Sequence, residues 1–134
     1  MVERSKSTGF DEFVGKIVEI KVEPSSNPQI EGEQYHIQMK PDDKTLTEGS
    51  KTGNFHEWIR IPPKATDTSV PEGSVLDKFL LEIEFLHKEV KKLESHVEVM
   101  NFIVGKKYLF KKKVLGKSFQ GHEAKPYWIP AREL

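Results

Sequence analysis

The chain has 134 residues, of which 36% are hydrophobic and 31% charged, with 21 basic side chains balancing 21 acidic ones and no cysteine. That length suits one hydrophobic core; the lack of cysteine excludes disulfides, thiolate metal sites and cysteine nucleophiles, and no apolar run approaches the roughly 18–20 residues needed to span a bilayer. Zero net charge argues against a uniformly electrostatic nucleic-acid binder, and the opening MVERSKSTGFDEF lacks the apolar stretch of a secretory signal. The expectation is a cytoplasmic protein with no membrane association, formed by a single domain over residues 10–134 behind a flexible tail over 1–9.

The charge is unevenly spread. Residues 105–125 contain seven lysines (106, 107, 111, 112, 113, 117 and 125) and one acid, Glu123, a local sum of +6 that leaves −6 elsewhere.

In chain order, Phe13 to Val22 reads as a first strand, with Val18, Ile20 and Val22 alternating with Glu19 and Lys21. Val14-Gly15 suits a glycine bulge in a curved strand, and Pro24-Ser25-Ser26-Asn27-Pro28 suits a turn. The second strand, Gln34 to Lys40, places Tyr35, Ile37 and Met39 on one face and Gln34, His36, Gln38 and Lys40 on the other. A polar loop covers Pro41 to Asn54. The third strand, Phe55 to Ile61, sets Phe55, Ile59 and Ile61, with Glu57 among them, against His56, Trp58 and Arg60. Pro62-Pro63 ends it.

The period then changes. Behind Ser74 as N-cap, apolar residues at 76, 79, 80, 83, 86, 90 and 93 form one stripe of an amphipathic helix about 18 residues long. A second short helix is predicted through Val97–Ile103, stopped by Gly105. Lys107 to Leu115 reads as a fourth strand, residues 116–122 as a long hairpin loop, and Tyr127-Trp128-Ile129 as a fifth strand fenced by Pro126 and Pro130.

This order predicts a mainly β protein: a five-stranded OB-fold-like barrel with an α-helical insertion, at about 75–103, between strands 3 and 4. The alternative is an α+β domain whose helix crosses an open antiparallel sheet. The segment from Val104-Gly105-Lys106-Lys107-Tyr108-Leu109-Phe110 through Leu115-Gly116-Lys117 to Tyr127-Trp128-Ile129-Pro130 resembles the closing hairpin of small OB-fold single-stranded-DNA-binding proteins of archaeal and phage type. The resemblance implies a non-catalytic protein of DNA replication or repair that binds single-stranded DNA, or RNA.

In such barrels the exposed face of strands two and three and the flanking loops carry the ligand. Projected onto this chain, that rule selects His36, Gln38 and Lys40, then His56, Trp58 and Arg60, then Lys111 and Lys113 on strand four, and Lys117, Phe119 and His122 in the hairpin loop. Flat rings stack on unpaired bases and cationic groups meet the phosphates. Each has a plainer reading: Trp58 as a core or barrel-end residue, Phe119 as a loop aromatic folded over the barrel end, Lys111-Lys112-Lys113 as a solvated edge. Tyr35, Tyr108 and Phe110 have core parity.

The five histidines (36, 56, 87, 96 and 122) match no metal-ligand spacing, so no metal or other cofactor is expected. Gly49-Ser50-Lys51-Thr52-Gly53 has the wrong order for a phosphate loop, and no nucleophile elbow is present, so catalysis is not expected either. Leu81 and Phe85 lie off the helix stripe and widen its apolar surface. A protein-interaction or assembly module, binding a partner or a second copy through the 76–93 helix, is therefore the competing function.

Overall fold

The computed structural model describes residues 11–25, 32–116 and 125–134. Five strands, β1 (Glu12–Pro24), β2 (Glu33–Pro41), β3 (Phe55–Ile61), β4 (Lys107–Val114) and β5 (Pro126–Glu133), form one antiparallel sheet in the order β3-β2-β1-β4-β5. Helices α1 (Val75–Leu86) and α2 (His96–Ile103) lie between β3 and β4. The expected hairpin loop, with Lys117, Phe119 and His122, lies outside the described residues, as does most of the turn expected after β1. No helix among the described residues is long and apolar enough to cross a membrane.

β1 is the sheet's spine, pairing with β2 along most of its length and with β4 over Glu12–Lys16. Its extra residue is Val18, where the register to β2 slips between Ile17 and Glu19, not the expected Val14-Gly15. Gly15 meets a different demand: a Cβ there would lie 2.7 Å from the Lys40 carbonyl oxygen, so the strands approach too closely for any side chain. The bulge also changes the faces. Phe13 and Ile17 are buried, whereas Val18 and Val22, expected to be half-buried, are exposed.

The sheet is not closed into a barrel. β3 and β5 are its edges, with no ladder between them, and Phe13, Phe55 and Trp128 form a triangle there with ring centroids 4.5–5.8 Å apart. The reason lies in β5. Successive residues of a strand point their N–H groups to alternate sides, so Pro126, Trp128 and Pro130 share the side facing β3. Proline has no N–H to donate, and the Trp128 N–H is taken by the Glu57 carboxylate at 2.8 Å. Between Pro126 and Pro130 that side offers no free donor to close a ladder. This placement also lets β5 run on through Pro130 to Glu133, beyond the three residues expected.

Glu57 is buried (3% exposed) on the inner face of β3. Its second oxygen accepts from the Lys125 ammonium at 3.1 Å and the Trp58 N–H at 3.2 Å. The buried charge is thus satisfied by a cation and two backbone donors.

Ser74 caps α1 as expected, its hydroxyl accepting from the Asp77 N–H, and Ser95 caps α2 in the same way through Glu98. The apolar stripe does not form one long helix. α1 ends at Leu86, and a 3-10 segment takes Lys88–Lys92. His87 leaves helical geometry (φ −130°, ψ 90°) and sits buried with its Nε2 2.8 Å from the Tyr108 hydroxyl. Its partner on α2, His96, has Nδ1 2.5 Å from the Tyr35 hydroxyl and Nε2 3.0 Å from the Thr66 carbonyl. Two histidine–tyrosine pairs therefore tie the helical segment to β2 and β4, while Leu76, Phe79, Ile83, Met100 and Ile103 join the strands' inner faces in one apolar cluster.

Two outcomes are expected. Glu57→Ala leaves the Trp128 N–H and Lys125 without their acceptor and should lower unfolding free energy by about 2–3 kcal/mol in urea titrations, whereas Glu57→Gln, which keeps an acceptor, should cost clearly less. Burial pushes the Tyr35 hydroxyl up to about 12, with Asp67 and Glu33 adding to the shift, and burial raises Tyr108 too. A raised tyrosine value means stability is complete below the ordinary value near 10 and is lost as pH climbs through the folded one. Melting temperature should fall between pH 10 and 12, and fall less in Tyr35→Phe.

Candidate nucleic-acid interface

Directly opposed residues of an antiparallel pair project to the same side. Arg60 faces Gln34, Trp58 faces His36 and His56 faces Gln38, all on the outer face, and β1 adds Glu23, Lys21 and Glu19 opposite Gln34, His36 and Gln38. The six residues expected on strands two and three, His36, Gln38, Lys40, His56, Trp58 and Arg60, thus share one surface.

Two imidazoles on that surface lie nearly parallel to the Trp58 ring. His36 and Trp58 have centroids 4.8 Å apart at 18°, and His56 and Trp58 5.7 Å apart at 15°. Trp58 remains 41% exposed, while the second tryptophan, Trp128, is 9% exposed. Trp58 is therefore a surface ring and not the core residue of the plainer reading.

Glu23 organises the group. One of its oxygens accepts from the Trp58 indole N–H at 2.9 Å and from the Gln34 amide at 3.2 Å, and the other lies 3.3 Å from His36 Nδ1. Partial burial works against ionisation, but the hydrogen bonds from Gln34 and Trp58 and the adjacent His36 outweigh it and hold this carboxyl below its ordinary value. Behind it, His36 Nε2 lies 2.7 Å from His56 Nδ1, and His56 Nε2 lies 3.0 Å from the Thr52 hydroxyl.

One assignment of protons satisfies every bond: Nδ1–H of His36 donates to Glu23, Nδ1–H of His56 donates to His36 Nε2, and the Thr52 hydroxyl donates to His56 Nε2. The chain accommodates one extra proton by switching the His56 tautomer. It cannot hold two with the bond between the histidines intact.

Gln38 is fixed in turn, donating to Glu19 at 2.8 Å and accepting from the Asn54 amide at 3.2 Å. Sequence reasoning missed Glu23, Gln34, Glu19 and Thr52. The alternation of Glu19, Lys21 and Glu23 was visible, but the register that sets them against Gln38, His36 and Gln34 was not.

The C-terminal lysines are elsewhere. Lys111 lies opposite Glu12, whereas His36 lies opposite Lys21; nine residues of β1 separate the two positions, roughly 30 Å of strand. Lys111 is 3.9 Å from Glu12, and Lys113 pairs closely with Glu82 of α1. Lys112 lies over the Trp128 ring, Lys106 over Phe102, and Lys125 on Glu57 and Tyr127. The described lysines of the 105–125 segment are spread over separate intramolecular partners, and Lys111 and Lys113 do not lie beside Trp58 and Arg60.

No protein-family model matches the chain, and no curated protein matches it in sequence.

The proton arrangement has a measurable consequence. Burial, and then the neighbouring His36, lower the value of His56 from the ordinary 6.5. A lowered histidine value means the neutral ring is favoured in the fold, so its stabilising contribution is complete at neutral pH and is lost as pH falls through the folded value. Trp58 emission should hold steady down to 6.5 and change only below it, and His56→Gln should remove that transition. A midpoint above 6.5 in a fluorescence titration contradicts the arrangement.

Proposed function

We propose that this protein binds single-stranded nucleic acid without catalysis, through the outer face of β1, β2 and β3. DNA is favoured over RNA only by the resemblance of the 104–130 segment. The order of the strands, with the helices between β3 and β4, is that of an OB-fold barrel left open between β3 and β5, which supports placing the chain with OB-fold proteins.

The observation that carries the reading is Trp58: a large exposed ring, aligned with two imidazoles, pinned by Glu23 and flanked by Arg60 and two amides. Glu23 and the two imidazoles fix the ring, and its exposed part suits stacking by an unpaired base. Stacking on an aromatic side chain contributes about 1–3 kcal/mol per base and tolerates any sequence. Arg60, for which no ion pair is found among the described residues, suits a phosphate or a second stacking plane.

A specific observation favours a second reading. Phe85 is 85% exposed and Leu81 54%, side by side on α1 above a hollow also lined by Glu84, Lys88 and Lys91. An assembly module would use that patch. Sedimentation of wild type against Phe85→Ser separates the two, since a concentration-dependent dimer lost in the variant belongs to the assembly reading.

For the nucleic-acid reading, titration with a single-stranded oligonucleotide of about 30 nucleotides should quench Trp58, because the other tryptophan is buried. Trp58→Ala should weaken binding by about 5- to 150-fold, the equivalent of one stacked base, with little change in melting temperature. Absence of quenching and of any mobility shift at low salt sinks the reading.

A further inference from the structure

Four residues along β2 from His36, on the same outer face, the pairing brings three lysines into one row. Lys16 of β1 lies directly opposite Lys40 of β2 on one side and Lys107 of β4 on the other. All three are exposed. Opposed Cα atoms in such a ladder are only about 4.5–5.5 Å apart, and like charges set directly opposite destabilise a sheet. Lys107 is compensated by a close pair with Asp42. Lys16 and Lys40 have no ion-pair partner among the described residues. Arg132 of β5, opposite Leu109 and diagonal to Lys107, extends the row and is likewise without an ion pair among them.

This contrasts with the lysines of the 105–125 segment, whose described members are engaged by an acid or a ring. Lys16 and Lys40 lack such a partner among the described residues and lie on the face that carries Trp58. His36 to Lys40 spans roughly 13 Å of strand, a separation that a few nucleotides cover.

We infer that Lys16 and Lys40, with Lys107 and Arg132 flanking them, form the phosphate-binding half of the interface, so that a single strand stacks at Trp58 and carries its backbone onto this row. The inference rests on the nucleic-acid reading above and adds the path of the strand. The row is built from β1 and β4 as much as from β2, and no contiguous stretch of sequence contains it.

The test compares wild type, Trp58→Ala, Lys16→Gln with Lys40→Gln, and Lys111→Gln with Lys113→Gln. Each is titrated by anisotropy with a labelled oligothymidylate of about 30 nucleotides and with a duplex of equal length, across salt. Each phosphate contact on a single strand contributes about 0.7 to the slope of log K against log salt, so the Lys16/Lys40 variant should lose about 1.4 from the slope and on the order of ten- to a hundred-fold in affinity at about 50 mM salt. It should melt no earlier than wild type, because a repulsive pair has been removed. The Lys111/Lys113 variant should change the slope less, and Trp58→Ala should lower affinity with the slope intact. If Trp58→Ala weakens binding while Lys16/Lys40 leaves the slope unchanged, the row is inert and the nucleic-acid reading survives without it. Equal losses for duplex and single strand show a general polyanion surface and overturn the path. If wild type binds neither oligonucleotide, the nucleic-acid reading and the inference fall together.

Discussion

A single buried carboxylate holds the two ends of this sheet together. Glu57 points into the core from β3, yet it is neither exposed nor unpaired: it receives the N–H of Trp128 from β5, the ammonium of Lys125 and the N–H of its own neighbour, Trp58. The β5 edge facing it has proline on either side of Trp128, so this one side chain does what a backbone ladder would otherwise do. Two consequences follow in opposite directions. Inward, the edges are drawn close enough for Phe13, Phe55 and Trp128 to pack as a triangle. Outward, the backbone beneath Trp58 is held by the same carboxylate, so the ring stands on a fixed strand.

The two faces of β2 divide the labour. Tyr35, Ile37 and Met39 are buried, and Tyr35 reaches the helical segment through His96. His36, Gln38 and Lys40 face solvent, and the first two are locked by Glu23 and Glu19 from β1. Polar side chains fixed in this way have little further freedom to lose in any contact they make. The acids that fix the rings make that end of the face unfavourable for an anion, and the cations Lys40 and Lys16 lie further along it.

Local signals were readable in the sequence and non-local ones were not. The third strand was bounded correctly at Phe55 and Ile61, Ser74 was found as a cap, and the period of two assigned His36, Gln38, His56, Trp58 and Arg60 to one face. All of these depend on residues within a few positions of each other. The break at His87 was invisible because the group that His87 meets there, the Tyr108 hydroxyl, lies far along the chain. The bulge at Val18 was misplaced to Gly15 because glycine signals a bulge and a close approach alike, and only the position of the Lys40 carbonyl distinguishes them. The cluster of lysines in 105–125 was real as a sequence feature. Alternation along β4 scatters it onto opposite sides, and partners from β1, α1 and β5 engage it. Lys16 stood alone in the sequence and gains meaning only from its neighbours across the strands.

The pairing of β1 with β4 joins Glu12 to Lys111 and Lys16 to Lys107, positions separated by most of the chain. Closing so large a loop costs entropy before any contact forms, so sheets of this kind fold slowly, with neighbouring strands zipping first and distant ones docking late. β1, β2 and β3 follow one another and assemble as a meander, ring file included. Lys107 arrives beside Lys16 only when β4 docks. The repulsion between Lys16 and Lys40 is present as soon as β1 pairs with β2, and the docking of β4 adds Lys107 together with its partner Asp42. The complete row, Lys107 included, exists only once β4 has docked, so it belongs to the assembled sheet and to no part of it alone.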